Sequence, residues 1–176
     1  RPGFRGRSYW LSSPTGSTSR PRAGTSRNVQ SPHPRRPGGR PRVTTCVDSS
    51  ALLKRYVLEA DSKLADELLG VDPVVVTSWV TLVEVRRNLG RLLEGSALIE
   101  AQAQLSTDLD SFAMIVCDEA VASAAADIGE ALGVRSLDAV HLALARRQQV
   151  DQLTFVTFDM RQAQAARSLG FVVRGA

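Results

Sequence analysis

Cysteine, histidine and aromatic residues are scarce in this chain of 176 residues, with two Cys, two His and 5% Phe, Trp and Tyr. Cys46 and Cys117 form no C-x-x-C and lie far apart in apolar, strand-like runs. That spacing argues against a disulfide framework and a zinc site. Both are expected to behave as small buried hydrophobes in a reducing cytosol. No apolar run approaches the length of a membrane-spanning helix, and no charged–apolar–small signal pattern opens the sequence. Also missing are G-x-x-x-x-G-K-[ST], G-x-G-x-x-G after a strand, H-E-x-x-H and G-x-S-x-G, so four common chemistries find no support. Asp48 is followed by Ser49 and Ser50, which removes the D-x-D expected of an aspartyl-phosphate phosphatase.

Acids are absent from residues 1–42, which hold ten Arg and seven of the eight prolines. Proline is correspondingly rare afterwards. The net charge of +4 therefore divides into +10 for the tail and −6 for the remainder, where 12 basic groups face all 18 acids. A segment so poor in apolar surface cannot offset the entropy of ordering, so 1–42 is expected to be disordered. One reading makes it a basic arm that attracts phosphates. The other, which we favour, leaves it outside the native product. No methionine precedes Met114, and the folded pattern begins at Val43. An acidic body gives no general attraction to nucleic acid, so any RNA contact has to come from local patches or metal ions.

From Val43 short apolar runs alternate with helical periods. Strands are predicted at 43–47, 74–76, 113–117, 153–158 and 171–173. Helices are predicted at 49–57, 60–69, from 77 or 78 to Gly95, and over 97–109, 119–132, 136–148 and 160–169. The third helix carries a stripe of Leu82, Val85, Leu89, Leu92 and Leu93 at the spacing of a buried face. Gly70 and Gly95 are read as helix stops, and Gly133 as a left-handed cap. Strands that are short, nearly continuously apolar and separated by helices mark a sheet covered on both faces. The fold class is thus α/β: a three-layer α/β/α sandwich with a mainly parallel sheet of four to five strands, formed by residues 43–176. Such sheets bind ligands at the carboxyl ends of their strands.

Asp48 and Asp159 each end a predicted strand, and Asp138 falls in the first turn of a helix. Glu84 lies about two turns into another. Each has a plain structural explanation: Asp48 and Asp159 as helix N-caps, Asp138 as a partner of the helix dipole, and Glu84 as part of a solvated face with Asn88 and Arg91. Together they have another, since all four can converge on one edge. Carboxylates held so close resist ionising together unless a cation neutralises them. Oxygen-only ligation suits Mg²⁺ or Mn²⁺, and such clusters position phosphates and activate water. His141 shares a face with Asp138 and is read as a packed, hydrogen-bonded histidine rather than a catalytic one. Trp79 is read as core or partner surface.

Four segments carry a resemblance: Val47-Asp48-Ser49-Ser50-Ala51-Leu52-Leu53-Lys54, Thr81-Leu82-Val83-Glu84-Val85, Ser136-Leu137-Asp138-Ala139-Val140-His141-Leu142-Ala143 and Val156-Thr157-Phe158-Asp159. In order and spacing they resemble the PIN-domain ribonucleases, specifically the VapC-type toxins of bacterial toxin–antitoxin pairs. The resemblance covers 43–176, and the tail has no counterpart. The chain departs from the pattern at Met160-Arg161-Gln162, where an apolar residue often follows the last acid.

The resemblance implies a PIN-like fold and a cytoplasmic, metal-dependent endoribonuclease. Asp48, Glu84, Asp138 and Asp159 would hold one or two Mg²⁺ or Mn²⁺ ions, and an activated water would attack an RNA phosphodiester in line. Thr157 and Ser49 would orient water or carboxylates. A homodimer silenced by a small cognate antitoxin is also implied. Lys54, Arg86, Arg87 and Arg161 are candidate phosphate contacts because they lie near the acids in sequence. Two other readings remain: a PIN-like module that binds RNA or protein without cutting, and a flavodoxin-like small-ligand domain.

Overall fold

The computed structural model describes residues 44–150 and 152–176. The expectations of a disordered basic tail and of a strand beginning at Val43 concern residues outside those described. The elements run β1 (Thr45–Val47), α1 (Ser49–Leu53), α2 (Ser62–Gly70), β2 (Val75–Ser78), α3 (Trp79–Leu92), α4 (Gly95–Ser111), β3 (Ala113–Ile115), α5 (Glu119–Leu132), α6 (Ser136–Arg147), β4 (Thr154–Thr157), α7 (Met160–Ser168) and β5 (Val172–Gly175). All four strand pairings are parallel, in the order β3-β2-β1-β4-β5. Among the described residues, no helix is long and apolar enough to cross a membrane.

Alternation along the short central strands builds two cores. Cys46 and Phe155 point to one face, where they join Val121, Ile128, Leu142, Leu144 and Ala166 of α5, α6 and α7. Val47 and Val156 point to the other, against Leu52, Leu69, Val85, Leu89 and Leu105 of α1 to α4. This is the three-layer sandwich that continuous apolar strands require, because neither face can be left to water. The chain leaves β1 toward β2 and β3, then returns on the other side to β4 and β5. The strand order therefore reverses between β1 and β4, and ligands of open α/β sheets bind at such a switch point.

Local chemistry explains most element ends. The side chains of Asp48, Ser78, Asp118 and Asp159 accept from backbone N–H groups at the starts of α1, α3, α5 and α7, answering donors that a helix N-terminus leaves unpaired. Gly133 ends α5 at φ 64°, as its left-handed cap. Other expectations fail. Gly95, at φ 58°, opens α4 rather than breaking α3, whereas α2 stops at Gly70 as expected. The buried stripe of α3 is Thr81, Val85 and Leu89, while Leu92 is 55% exposed. Cys46 is buried, but Cys117 lies beyond β3 and is exposed. Trp79, at the first position of α3, is half exposed.

Buried polar groups are nearly all answered. Asp108 on α4 accepts from Arg55 Nε, Tyr56 Oη and Gln104 Nε2, each at 2.9 Å, which fastens the turn after α1 to α4. Among the described residues Gln162 is the exception: it is 2% exposed and its Nε2 has no hydrogen-bond partner. It lies in the Met160-Arg161-Gln162 stretch, where an apolar residue would have been unremarkable. A buried amide donor without a partner costs about 1–3 kcal/mol. Gln162→Leu, which keeps the approximate volume, is therefore expected to raise stability by about 1 kcal/mol in urea unfolding. A lower midpoint would show that the Gln162 amide is answered after all.

Candidate active site at the carboxyl edge of the sheet

Asp48 is the most buried acid of the candidate site, at 1% exposure. Its backbone N–H donates to Val156 O (3.3 Å), so it sits directly at the β1–β4 switch. Its carboxylate accepts from Thr157 Oγ1 (2.7 Å), Ser50 Oγ (2.8 and 3.0 Å) and Ala51 N (2.9 Å). Thr157 Oγ1 in turn accepts from Asp159 N (3.1 Å), and Ser50 Oγ accepts from Phe158 N (2.9 Å). Burial pushes the Asp48 carboxyl above its ordinary range, opposed by these donors and by His141. Asp48 is thus both a helix cap and a site acid. The serine hydroxyl that joins Thr157 in orienting it is that of Ser50, not Ser49.

Asp138 is half-buried in the first turn of α6. Burial raises its pKa first and the Asp159 carboxylate second; Glu84 adds to the rise, while Arg135 and His141 oppose it. Desolvation and like charges thus disfavour the ionised form of Asp138. Glu84 is not on a solvated face. Its carboxylate meets His141 Nε2 at 2.5 Å, with side-chain exposures of 21% and 5%. His141 is the packed, hydrogen-bonded histidine expected from its position, and its partner is a site acid. Asp159 uses Oδ1 to accept from Arg161 N (2.8 Å) and Gln162 N (3.1 Å).

The expected phosphate contacts fall into two groups. Lys54 is held by Glu59 (2.6 Å) and Asp61 (3.5 Å) and lies 4.9 Å from the centre of the Phe158 ring, so it is not available to a phosphate. Arg86 lines a groove between α3 and α4 with Trp79 and Leu109, and none of the four acids is in its wall. Arg161 shares a cleft with Asp138, and so does Arg135, which sequence reasoning passed over. Arg135 is the N-cap of α6 and makes no side-chain capping bond.

Among the described residues, no three His, Cys, Asp or Glu side chains converge into a ready-made metal shell. The donors present are nevertheless hard carboxylate oxygens, and Asp138 is coupled to both Asp159 and Glu84. That donor chemistry fits a divalent cation of the Mg²⁺ or Ca²⁺ kind rather than a thiolate-binding metal.

The raised Asp138 pKa has a definite sign for stability. The folded state binds the proton more tightly than the unfolded one. Its stabilising share is present at low pH and is lost as pH rises from the ordinary carboxylate value through the higher folded one. At neutral pH without metal, Asp138→Asn is therefore expected to raise the melting temperature. Millimolar Mn²⁺ is expected to raise that of the parent and to shift the variant less. Equal Mn²⁺ shifts in both proteins would contradict a cation-binding role for Asp138.

The PIN domain pattern matches residues 45–168 of this chain. Ribonuclease VapC46 of Mycobacterium tuberculosis is 33% identical over 127 residues, which span 72% of this chain and 93% of that protein. VapC20 of M. tuberculosis, a sarcin–ricin loop cleaving toxin, shares the fold at TM-score 0.55 with 24% identity, covering 73% of this chain and 96% of that one. A toxin–antitoxin complex from Klebsiella pneumoniae shares it at TM-score 0.54 with 18% identity, over 67% of this chain and 88% of that one. The matched pattern spans β1 to β4, four of the five parallel strands, and the edge that carries Asp48, Glu84, Asp138 and Asp159, and the chain belongs to the PIN domain family.

Proposed function

We propose that residues 43–176 form a divalent-metal-dependent endoribonuclease, the toxin of a toxin–antitoxin pair. The observation that carries this reading is the meeting of like charges at the switch point. The Asp159 and Glu84 carboxylates both raise the Asp138 pKa, and His141 acts on Asp138 and on the buried Asp48 alike; such a gathering of acids favours a cation and a phosphate over any neutral ligand. Kinship with a ribonuclease at 33% identity supports the same activity. PIN-domain ribonucleases generally need a divalent metal; here we infer Mg²⁺ or Mn²⁺.

In this reading Asp48, Glu84, Asp138 and Asp159 hold the ion. A divalent ion held there would supply Lewis-acid chemistry toward a phosphoryl oxygen and water. The chain's own part is orientation. Thr157 and Ser50 fix both oxygens of Asp48, and His141 fixes Glu84 from the opposite helical layer, as outer hydrogen bonds do for ligating carboxylates. Restricting the rotamers of the acids keeps the site from being reorganised when the phosphate arrives. A cognate antitoxin, a homodimeric state and a cytoplasmic setting complete the proposal. The Klebsiella pneumoniae complex of the same fold supports the antitoxin partner.

Cleavage of pooled cellular RNA tests it. The wild type with Mn²⁺ is expected to cut, EDTA to stop it, and Asp48→Asn or Asp138→Asn to lower the rate by at least ~100-fold. Equal cleavage by wild type and both variants would remove the proposed site. No cleavage by folded, metal-loaded protein free of antitoxin would make the chain a binding module of the same fold.

A further inference from the structure

A substrate longer than one phosphodiester has to leave the acidic centre along some path. One surface cleft of the described residues includes a site acid. It has a volume of about 340 Å³ and runs from the α5–α6 turn to one face of α7, with Asp138 in its wall. Its two charged groups besides Asp138 are Arg135 and Arg161, both exposed.

Neither arginine forms an ion pair among the described residues, whereas Lys54, Arg55 and Arg147 all do. The remaining wall is neutral: Gln164 and Ser168 follow Arg161 along α7, and Val134 and Ala165 offer apolar surface to a sugar or base. A volume of this size lies at the small end of the range for ligand sites, roughly 300–1,000 Å³.

The charge balance makes the two arginines matter. Residues 43–176 carry net −6, so long-range attraction does not bring a polyanion to four acids. Local unpaired guanidinium groups at the cleft supply the attraction where it is needed, and their planar forks suit phosphate oxygens. We propose that Arg135 and Arg161 clamp the phosphate adjoining the scissile one and so seat the neighbouring RNA nucleotide in this cleft. They are positioning residues. The inference rests on the ribonuclease reading for its substrate class, but it is a statement about binding and is tested as binding.

The experiment uses the full chain carrying Asp48→Asn and a fluorescein-labelled single-stranded RNA 12-mer of randomised sequence. Anisotropy is read with Mg²⁺ over a range of salt. Residues 1–42 are retained in every protein, so their ten arginines contribute equally. Arg135→Gln/Arg161→Gln is compared with a charge-matched control outside the cleft, Lys63→Gln/Arg174→Gln, and with Arg135→Lys/Arg161→Lys. The Gln pair in the cleft is expected to weaken binding by about tenfold or more. It is also expected to flatten the log–log salt slope by about 0.7 for each phosphate no longer neutralised, while the Lys pair keeps most of the slope.

An unchanged affinity and slope would overturn the proposal, as would an equal loss in the charge-matched control. If the cleft pair loses binding as expected while the parent chain cuts no RNA, the clamp stands and the nuclease reading falls.

Discussion

Burying a carboxylate at the end of a central strand is the demand around which the site is built. Asp48 is 1% exposed, and an ionised group so far from water is tolerated only when donors replace its hydration. Two distant places in the chain supply them: Ala51 N and Ser50 Oγ from the first turn of α1, and Thr157 Oγ1 from the end of β4. The last is within reach because β4 pairs directly with β1. A sheet in sequential order would put another strand there. The reversal of strand order and the buried acid are therefore one arrangement, with topology providing the donor and the donor permitting the charge.

The same edge joins the two helical layers. Glu84 rises on α3 from one layer and His141 descends on α6 from the other, and their contact spans the site. His141 also lowers the cost of ionising both Asp48 and Asp138. A residue that looked structural in isolation thus touches one site acid and favours the ionised form of two others. It still packs as a core histidine does, and its electrostatic effect follows from where that packing leaves it.

Much of this was readable from residue order because caps and strand ends are local. Asp48, Asp118 and Asp159 each follow a short apolar run, and each caps the helix after it; Gly133 behaves as the left-handed stop its position suggested. What escaped was non-local. Glu84 and His141 are 57 residues apart, and a helix-face argument for Glu84 sees only Asn88 and Arg91. Lys54 looked like a phosphate contact, but Glu59 and Asp61, both after the end of α1, close on it. Ser49 and Ser50 are indistinguishable by composition, and only the direction of the first turn of α1 selects Ser50. Cys117 reads as part of an apolar strand, but β3 is an edge strand that ends at Ile115 and leaves it in solvent.

The central claim is that four acids from distant parts of the chain answer one divalent cation. Anomalous diffraction from crystals soaked in Mn²⁺ tests it most directly. A peak is expected within about 2.0–2.6 Å of carboxylate oxygens, the usual range for hard divalent cations, from Asp48 and at least one of Glu84, Asp138 and Asp159. Bound Mn²⁺ elsewhere, with no anomalous density at these four acids, would contradict it.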